Sequence, residues 1–350
     1  MRNISKLLVG ILFSALVISP SFAGELSVTG GATATYVTNG DNAHDGKSLG
    51  VSNEIDLTAS GELDNGYTWK YQVQLDDANN VNDDTRLEIG TDMGTIGFYI
   101  SEGSASADLS GLVGALGGGF DYISPATFST AYDVDGYNNI QYHTPADMLP
   151  FGTKIKLAYV PNMTTGMNSA KGAATTTASQ ATGRTLTQGH ISMAPVDGLT
   201  INASAAETGD ETGLPNTANN RETGVSASVG AKYTMGSVAI GYGQTGYQPA
   251  IASGEIAYYE NTFMGISFDV NDSLSVSYNI DESDKNQKVA VANGSSAGTT
   301  TNTVMEQESF QVAYTTGGAT LGFARAEVTN SDYSAGNTET QNVVSVAISF

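Results

Sequence analysis

From Glu25 to Phe350 the chain alternates hydrophobic and polar residues in short runs, each followed by a turn or a polar stretch. The clearest pair of runs spans residues 49–77. Leu49, Val51, Ile55, Leu57 and Ala59 alternate with Ser52, Glu54, Asp56, Thr58 and Ser60, and only Asn53 breaks the apolar row. Asp64-Asn65-Gly66 follows, residue types that tolerate positive φ and turn a chain tightly. The return run sets Tyr67, Trp69, Tyr71, Val73 and Leu75 on one face and Thr68, Lys70, Gln72, Gln74 and Asp76 on the other. A period of two predicts strands with two different faces.

The same grammar recurs at Asp92-Met93-Gly94, Ala194-Pro195-Val196-Asp197-Gly198, Met235-Gly236, Asn271-Asp272-Ser273 and Thr316-Gly317-Gly318. Polar stretches rich in Thr, Ser, Asn, Ala and Gly separate these hairpins at about 39–48, 78–83, 102–136, 162–183, 208–221, 247–255, 282–303 and 330–338. Sixteen strands fit the pattern, with short turns at one end and long loops at the other. A closed barrel in lipid must pair every strand and present apolar side chains outward, while its lumen stays polar. The expected fold class is therefore all-β, a transmembrane antiparallel barrel of about 16 strands. Aromatics at the turn end (Tyr67, Trp69, Phe151, Tyr233, Phe268, Tyr314, Phe350) and at the loop end (Tyr36, Tyr99, Tyr159, Tyr258) suit two interfacial belts. Arg325 is the exception: it shares parity with outward Leu321 and Phe323, implying a register slip or a rim position.

Residues 1–23 read as a cleaved signal peptide: basic Arg2 and Lys6, an apolar core from Leu7 to Ile18, then Ser21-Phe22-Ala23. That core is too short to span a bilayer as a helix, and no later run reaches the necessary length. Residues 24–350 form a single domain, since no linker or change of composition divides them. Without the signal the chain keeps 12 basic and 36 acidic residues, a net charge of −24. That balance disfavours nucleic acid, and the absence of cysteine excludes disulfides and thiolate metal sites.

Three segments in order resemble the general (non-specific) diffusion porins of Gram-negative outer membranes, alphaproteobacterial type. They are Leu87-Glu88-Ile89-Gly90-Thr91-Asp92-Met93-Gly94-Thr95-Ile96-Gly97, Asn138-Asn139-Ile140-Gln141-Tyr142-His143-Thr144-Pro145, and the terminal Val344-Ser345-Val346-Ala347-Ile348-Ser349-Phe350. The resemblance covers the whole mature chain. It implies a homotrimer in outer-membrane lipid and lipopolysaccharide, short periplasmic turns, long external loops, and a third loop (102–136) folded into the pore. It also implies that Val344, Val346, Ile348 and Phe350 form the signal read by the barrel assembly machinery. The chain departs from the family where a wall arginine is expected after Gly97, since it reads Phe98-Tyr99-Ile100.

The 102–136 stretch is the longest, and long unstructured loops are usually functional or disordered. It carries Glu102, Asp108, Asp121, Asp133 and Asp135 with no base, and Ala107–Leu116 has the composition of a short helix needing a packing surface. Inward parity on the walls offers the bases Lys70, Arg86, Lys154 and Lys156, and the acids Glu54, Asp56, Asp76 and Glu88. An acidic lining concentrates cations, which predicts a weak cation preference, with Asp108 or Asp121 opposite Arg86. Asp133, Asp135 and Asn138 resemble the start of a calcium loop without its closing Glu, so calcium is a candidate there and no other cofactor is expected. His44, His143 and His190 accompany no nucleophile motif, so no catalytic residue is assigned. The expected function is passive diffusion of small hydrophilic solutes and ions. The alternatives are a substrate-selective channel and a structural or adhesive barrel.

Overall fold

The computed structural model describes residues 24–41, 46–76, 80–107, 109, 112–116, 131–145, 147–163, 185–209, 223–249, 256–290 and 296–350. Residues 1–23, His44, Asp108 and Asp121 lie outside the described residues. Sixteen strands form one closed antiparallel sheet. The first six are β1 (Glu25–Asp41), β2 (Gly46–Glu62), β3 (Thr68–Asp76), β4 (Asn80–Thr91), β5 (Gly94–Ile100) and β6 (Asn139–His143). Next come β7 (Lys154–Val160), β8 (Leu186–Val196), β9 (Leu199–Thr208), β10 (Val225–Met235) and β11 (Val238–Gln248). The last are β12 (Ile256–Asn271), β13 (Leu274–Ala290), β14 (Ser296–Thr316), β15 (Ala319–Thr329) and β16 (Thr338–Ser349).

Each strand pairs with its sequence neighbours, and β16 returns to β1 in a register running from Gly31 opposite Ser349 to Asp41 opposite Glu339. Phe350 extends this seam: it and Gly30 exchange both backbone hydrogen bonds at 2.9 Å. Closure matters because an open edge would leave a row of unpaired N–H and C=O groups in lipid. The turns have the chemistry read from the sequence. In the first, Asn65 Oδ1 accepts a hydrogen bond from the Tyr67 N–H at 3.1 Å, and Gly66 takes φ 83°.

Burial alternates along the strands in the sense required of a membrane barrel. On β10, Val225 and Val229 are exposed while Ser226 and Ser228 are buried; on β15, Leu321 and Phe323 are exposed while Ala324 and Ala326 are buried. The buried inner wall is rich in neutral polar groups, including Gln141, Gln188, Asn261 and Gln311. An apolar outside around a polar inside is stable only against hydrocarbon. Tyr67, Phe151, Phe268, Tyr314 and Phe350 are exposed at the turn end, and Tyr36 and Tyr159 at the loop end.

Three details differ from the sequence reading. The stretch 282–303 is mostly strand, because β13 and β14 continue to Ala290 and from Ser296. Beyond the apolar band both faces of these strands become polar, so hydrophobic alternation disappears while the backbone ladder persists. Tyr99 belongs to no outer belt: only 2% exposed, it faces the lumen, and outward positions on β5 fall to Ile96 and Phe98. Arg325 keeps its outward register in mid-strand without a slip. Its guanidinium bonds the outward Glu327 carboxylate and reaches Asn342 Oδ1 at 3.3 Å on β16. At the seam, a Cβ on Gly30 would collide with the Glu54 carbonyl and lie 3.1 Å from the Phe350 ring, so the glycine makes room within its own chain.

Deleting Phe350 removes the last two backbone bonds of the seam and the ring seated over Gly30. The expected result is a severalfold drop in membrane-inserted barrel, measured by the fraction that resists urea extraction. Wild-type insertion of the deletion variant would show that closure through Asp41 is sufficient.

Candidate functional site

The described residues of the segment between β5 and β6 (102–136) lie along the inner wall. Their backbone groups bond side chains of inward parity on five strands. The Ala107 N–H bonds Ser204 Oγ on β9 at 2.9 Å, and the Ala115 N–H bonds Ser277 Oγ on β13 at 2.8 Å. The Leu116 N–H bonds Gln311 Oε1 on β14 at 2.6 Å. On the way back the Tyr132 N–H bonds Ser226 Oγ on β10 at 3.0 Å, and the Val134 N–H bonds Gln188 Oε1 on β8 at 2.9 Å. The described part of Ala107–Leu116 contains turns and bends rather than the expected helix. Wall side chains take the Ala107, Ala115 and Leu116 N–H groups, which intrahelical bonds would otherwise occupy.

Apolar side chains of the same segment need seats, and glycines of inward parity supply them. A Cβ at Gly230 or Gly243 would collide with Leu109. One at Gly241 would lie 3.0 Å from Leu112 Cβ and 3.2 Å from Val113, and one at Gly322 would lie 2.9 Å from Leu116. Leu109 and Val113 are 3% and 2% exposed, so the fit excludes water from both. The sequence reading missed these seats. The signal available was the recurrence of glycine at lumen parity on β10, β11 and β12, where a water-facing strand has no need of it.

The two roots of the segment are pinned together. Asn139 Nδ2 donates to the carbonyls of Glu102, Val134 and Tyr137 at 3.0–3.1 Å. Asp133 accepts hydrogen bonds from Ser104 Oγ at 2.5 Å and the Ala105 N–H at 3.0 Å. Lys156 Nζ donates to the Ser104 carbonyl at 2.7 Å. The Asp133 carboxylate thus ties the loop, while Asp135 and Asn138 sit at the turn closed by Tyr137 N–H to Val134 O at 3.0 Å. Among the described residues, no three His, Cys, Asp or Glu side chains gather as a metal site would require.

Facing the segment, β2 to β5 carry a relay of charge. Gln72 Nε2 donates to Asp56 at 2.7 Å, and Arg86 Nη2 donates to Gln72 Oε1. Arg86 Nε lies 3.4 Å from the Glu102 carboxylate and 4.0 Å from that of Glu88. The Tyr99 hydroxyl donates to Glu88 at 2.8 Å. Lys70 is in cross-strand register with Glu88. Among the described acids, Arg86 therefore meets Glu102 and Glu88; Asp108 and Asp121 lie outside the described residues. Burial pushes the Glu102 carboxyl above the ordinary carboxylate range, against the opposing pull of Arg86. Lys154 stands apart at the turn end of β7, in register with Ser192. His143 bonds Gln141 at 2.7 Å beside Tyr99, and His190 is in register with Lys156 and Ser204. Val344, Val346, Ile348 and Phe350 are all exposed on the outer face at the closing seam.

No protein-family model matches the sequence, and a search among curated proteins finds no match. Solved structures do match in fold. The chain is similar to OmpT, an outer membrane protein of Vibrio cholerae, at 13% identity and TM-score 0.63, covering 95% of this chain and 100% of that one. It is similar to an anion-selective porin from Comamonas acidovorans at 14% identity and TM-score 0.62, covering 93% and 100%. It is similar to Salmonella typhi OmpF, solved with daunomycin, at 12% identity and TM-score 0.61, covering 95% and 99%. The chain has the fold of the outer-membrane porins.

Replacing Gly243 by Val puts a branched side chain where a Cβ would already lie 2.8 Å from Leu109 Cδ1. Overpacking of this kind costs about 1–3 kcal/mol, which raises the population of the unseated loop roughly tenfold. Thermolysin should cut the purified barrel within 102–136 faster by a similar factor. A cleavage rate equal to wild type would mean that Leu109 does not hold the loop.

Proposed function

We propose that the chain, once its 1–23 signal is removed, forms a water-filled outer-membrane channel for passive diffusion of small hydrophilic solutes and ions. The observation that carries this reading is the segment whose described part is bonded to the inner faces of β8, β9, β10, β13 and β14, inside a barrel whose β3, β4 and β7 carry the charged Lys70, Arg86, Glu88 and Lys156. The barrel reads as a general diffusion porin of the alphaproteobacterial type, inserted by the assembly machinery through its terminal strand. It works as a homotrimer among outer-membrane lipid and lipopolysaccharide.

Two outer-surface features support subunit contact. Ala32 and Ala34 are small residues at outward positions of β1. Beside them a polar row crosses the outer wall from Arg325 through Asn342 to Thr38, which Asn342 Nδ2 approaches at 3.4 Å. Arg or Lys facing lipid at the bilayer centre costs about 2–4 kcal/mol, so such a row is better placed against protein or headgroups. Mass measurement in mild detergent should find three copies. A strictly monomeric barrel under conditions that keep it folded would end the trimer reading.

The pore prefers cations weakly. The described lining sets Glu54, Asp56, Glu88, Glu102, Asp133 and Asp135 against Lys70, Arg86, Lys154 and Lys156. In planar bilayers a KCl gradient should give large ohmic steps with a reversal potential of cation sign, shrinking as salt screens the lining. The pH dependence follows from Glu102, whose carboxyl binds its proton above the usual range. As pH falls through that raised range, Glu102 becomes neutral while Arg86 stays charged, so cation preference declines before ordinary carboxylates titrate. Glu102→Gln should abolish this early step. An anion-selective wild type would refute the preference, and absence of conductance would refute the channel.

A further inference from the structure

On the wall of β2 to β4 the two bases Lys70 and Arg86 stand at inward parity among the acids Glu54, Asp56 and Glu88. An arginine in such company can pair with whichever carboxylate it reaches, and each choice leaves a different field along the wall. Arg86 Nε points toward Glu102 at 3.4 Å and lies 4.0 Å from Glu88, while its Nη2 donates to Gln72 Oε1. Asp56 bonds the other end of the same amide, accepting from Gln72 Nε2 at 2.7 Å. Gln72 is in register with Arg86, and Asp56 lies diagonally beside it, opposite Gln74. The width of one amide therefore separates the Asp56 carboxylate from the guanidinium.

Two features show that this amide is fixed. Gln72 is only 7% exposed, so water competes poorly for either of its ends. Its partners also dictate its orientation: an ionised carboxylate only accepts and a guanidinium only donates, so the NH2 must face Asp56 and the oxygen Arg86. The contact with Glu102 shows the same restraint from the other side. Arg86 Nε and Glu102 Oε1 are both buried and neither has a hydrogen-bond partner, although they face each other. A freely closing ion pair settles at about 2.7–2.9 Å. The bond at Nη2 thus holds the guanidinium aimed at Glu102 and a little short of it.

We propose that Gln72 is a positioning residue for ion selectivity: its amide keeps Asp56 from pairing with Arg86 and so reserves the guanidinium for the inserted segment, an inference that rests on the reading of the barrel as a channel. Without the amide, Asp56 loses its donor and Arg86 its acceptor on a wall with little water, and each satisfies the other. Arg86 then turns from Glu102 toward β2. The groups facing Glu102 are Asp56 from β2, Lys70 from β3, Arg86 and Glu88 from β4 and the Tyr99 hydroxyl from β5, while Asn139 of β6 bonds its carbonyl. With Arg86 withdrawn, only Lys70 opposes the neighbouring carboxylates, and Glu102 takes up its proton at higher pH. Gln72 therefore governs the field at the root of the segment without changing the net charge of the lining.

The test follows the reversal potential across a KCl gradient as pH is lowered, with the purified protein in planar bilayers. Wild type should lose part of its cation preference in one early step that Glu102→Gln lacks. In Gln72→Met, close in shape but without the amide, the step should move up by about one pH unit, the usual influence of an adjacent guanidinium on a carboxyl. In an Asp56→Asn background nothing competes for Arg86, so adding Gln72→Met should leave the step where Asp56→Asn alone puts it. Gln72→Glu offers Arg86 a carboxylate of its own and should move the step upward in both backgrounds. Conductance at neutral pH reports an intact barrel in each variant. An unshifted step in either Gln72 variant, or a Gln72→Met shift that survives the loss of Asp56, would overturn the role of Gln72. A folded barrel without conductance would overturn the channel reading instead. The Glu102 carboxyl would then be titrated directly, by carbon-13 NMR of glutamate-labelled protein in detergent, and the same shifts would decide the role of Gln72.

Discussion

The obligation to pair every backbone N–H and C=O without help from water governs this molecule. Sixteen strands meet it together only because β16 finds β1, and the final exchange of bonds between Gly30 and Phe350 lies at the very end of the chain. Side-chain placement follows from that closure. With the ladder fixed, a period of two leaves each residue either outward in hydrocarbon or inward in water. The position of Arg325 shows how strongly the ladder dominates. The strand keeps its register and leaves a guanidinium on the outer wall beside Glu327 and Asn342 rather than slipping by one residue. A slip would turn Leu321 and Phe323 into the lumen as well.

Much of the fold was legible because lipid writes a contrast into the sequence. Where the outer face is apolar, as in Leu321/Phe323 or Tyr67/Trp69/Tyr71, strand and parity can both be read directly. Where strands rise above that band, as in the upper parts of β13 and β14, inner and outer residues are equally polar and the reading fails. Tyr99 was misplaced for a related reason. Tyrosine suits a headgroup belt and a lumen wall alike, and only the neighbouring Phe98 and Glu88 decide between them. Glu102, Asp133, Arg86 and Lys156 were singled out from parity and loop position, and the structure brings them to the two roots of the segment and the wall beside them. The pairing of Arg86 with Glu102, and the tethering role of Asp133, arise from tertiary approach that no local pattern encodes.

The contact between the inserted segment and the barrel wall is built as much from neutral groups as from charges. Gln72 stands between Asp56 and Arg86, and Gln141, Gln188, Asn139 and Gln311 hold backbone that would otherwise lack partners. Amides suit this work, since each offers donors and an acceptor together. They add rigidity without adding field, so the electrostatic character of the path stays with few residues. The same economy explains why burial governs Glu102 more than its ion pair does: the carboxylate is packed at the root of the loop, with Arg86 beyond ideal hydrogen-bonding range.

The glycine seats give the inserted segment a sharply defined rest position. Leu109, Leu112, Val113 and Leu116 each fill a recess that exists only because Gly230, Gly241, Gly243 and Gly322 lack side chains. Lifting any of them wets an apolar side chain worth about 1.5–3 kcal/mol when fully buried, and half-lifted arrangements gain nothing in return. The segment therefore behaves as a latch with discrete positions rather than as a spring. On the proposed channel reading, a latch gives a quiet open level, and excursions from it are steps between distinct currents rather than continuous drift.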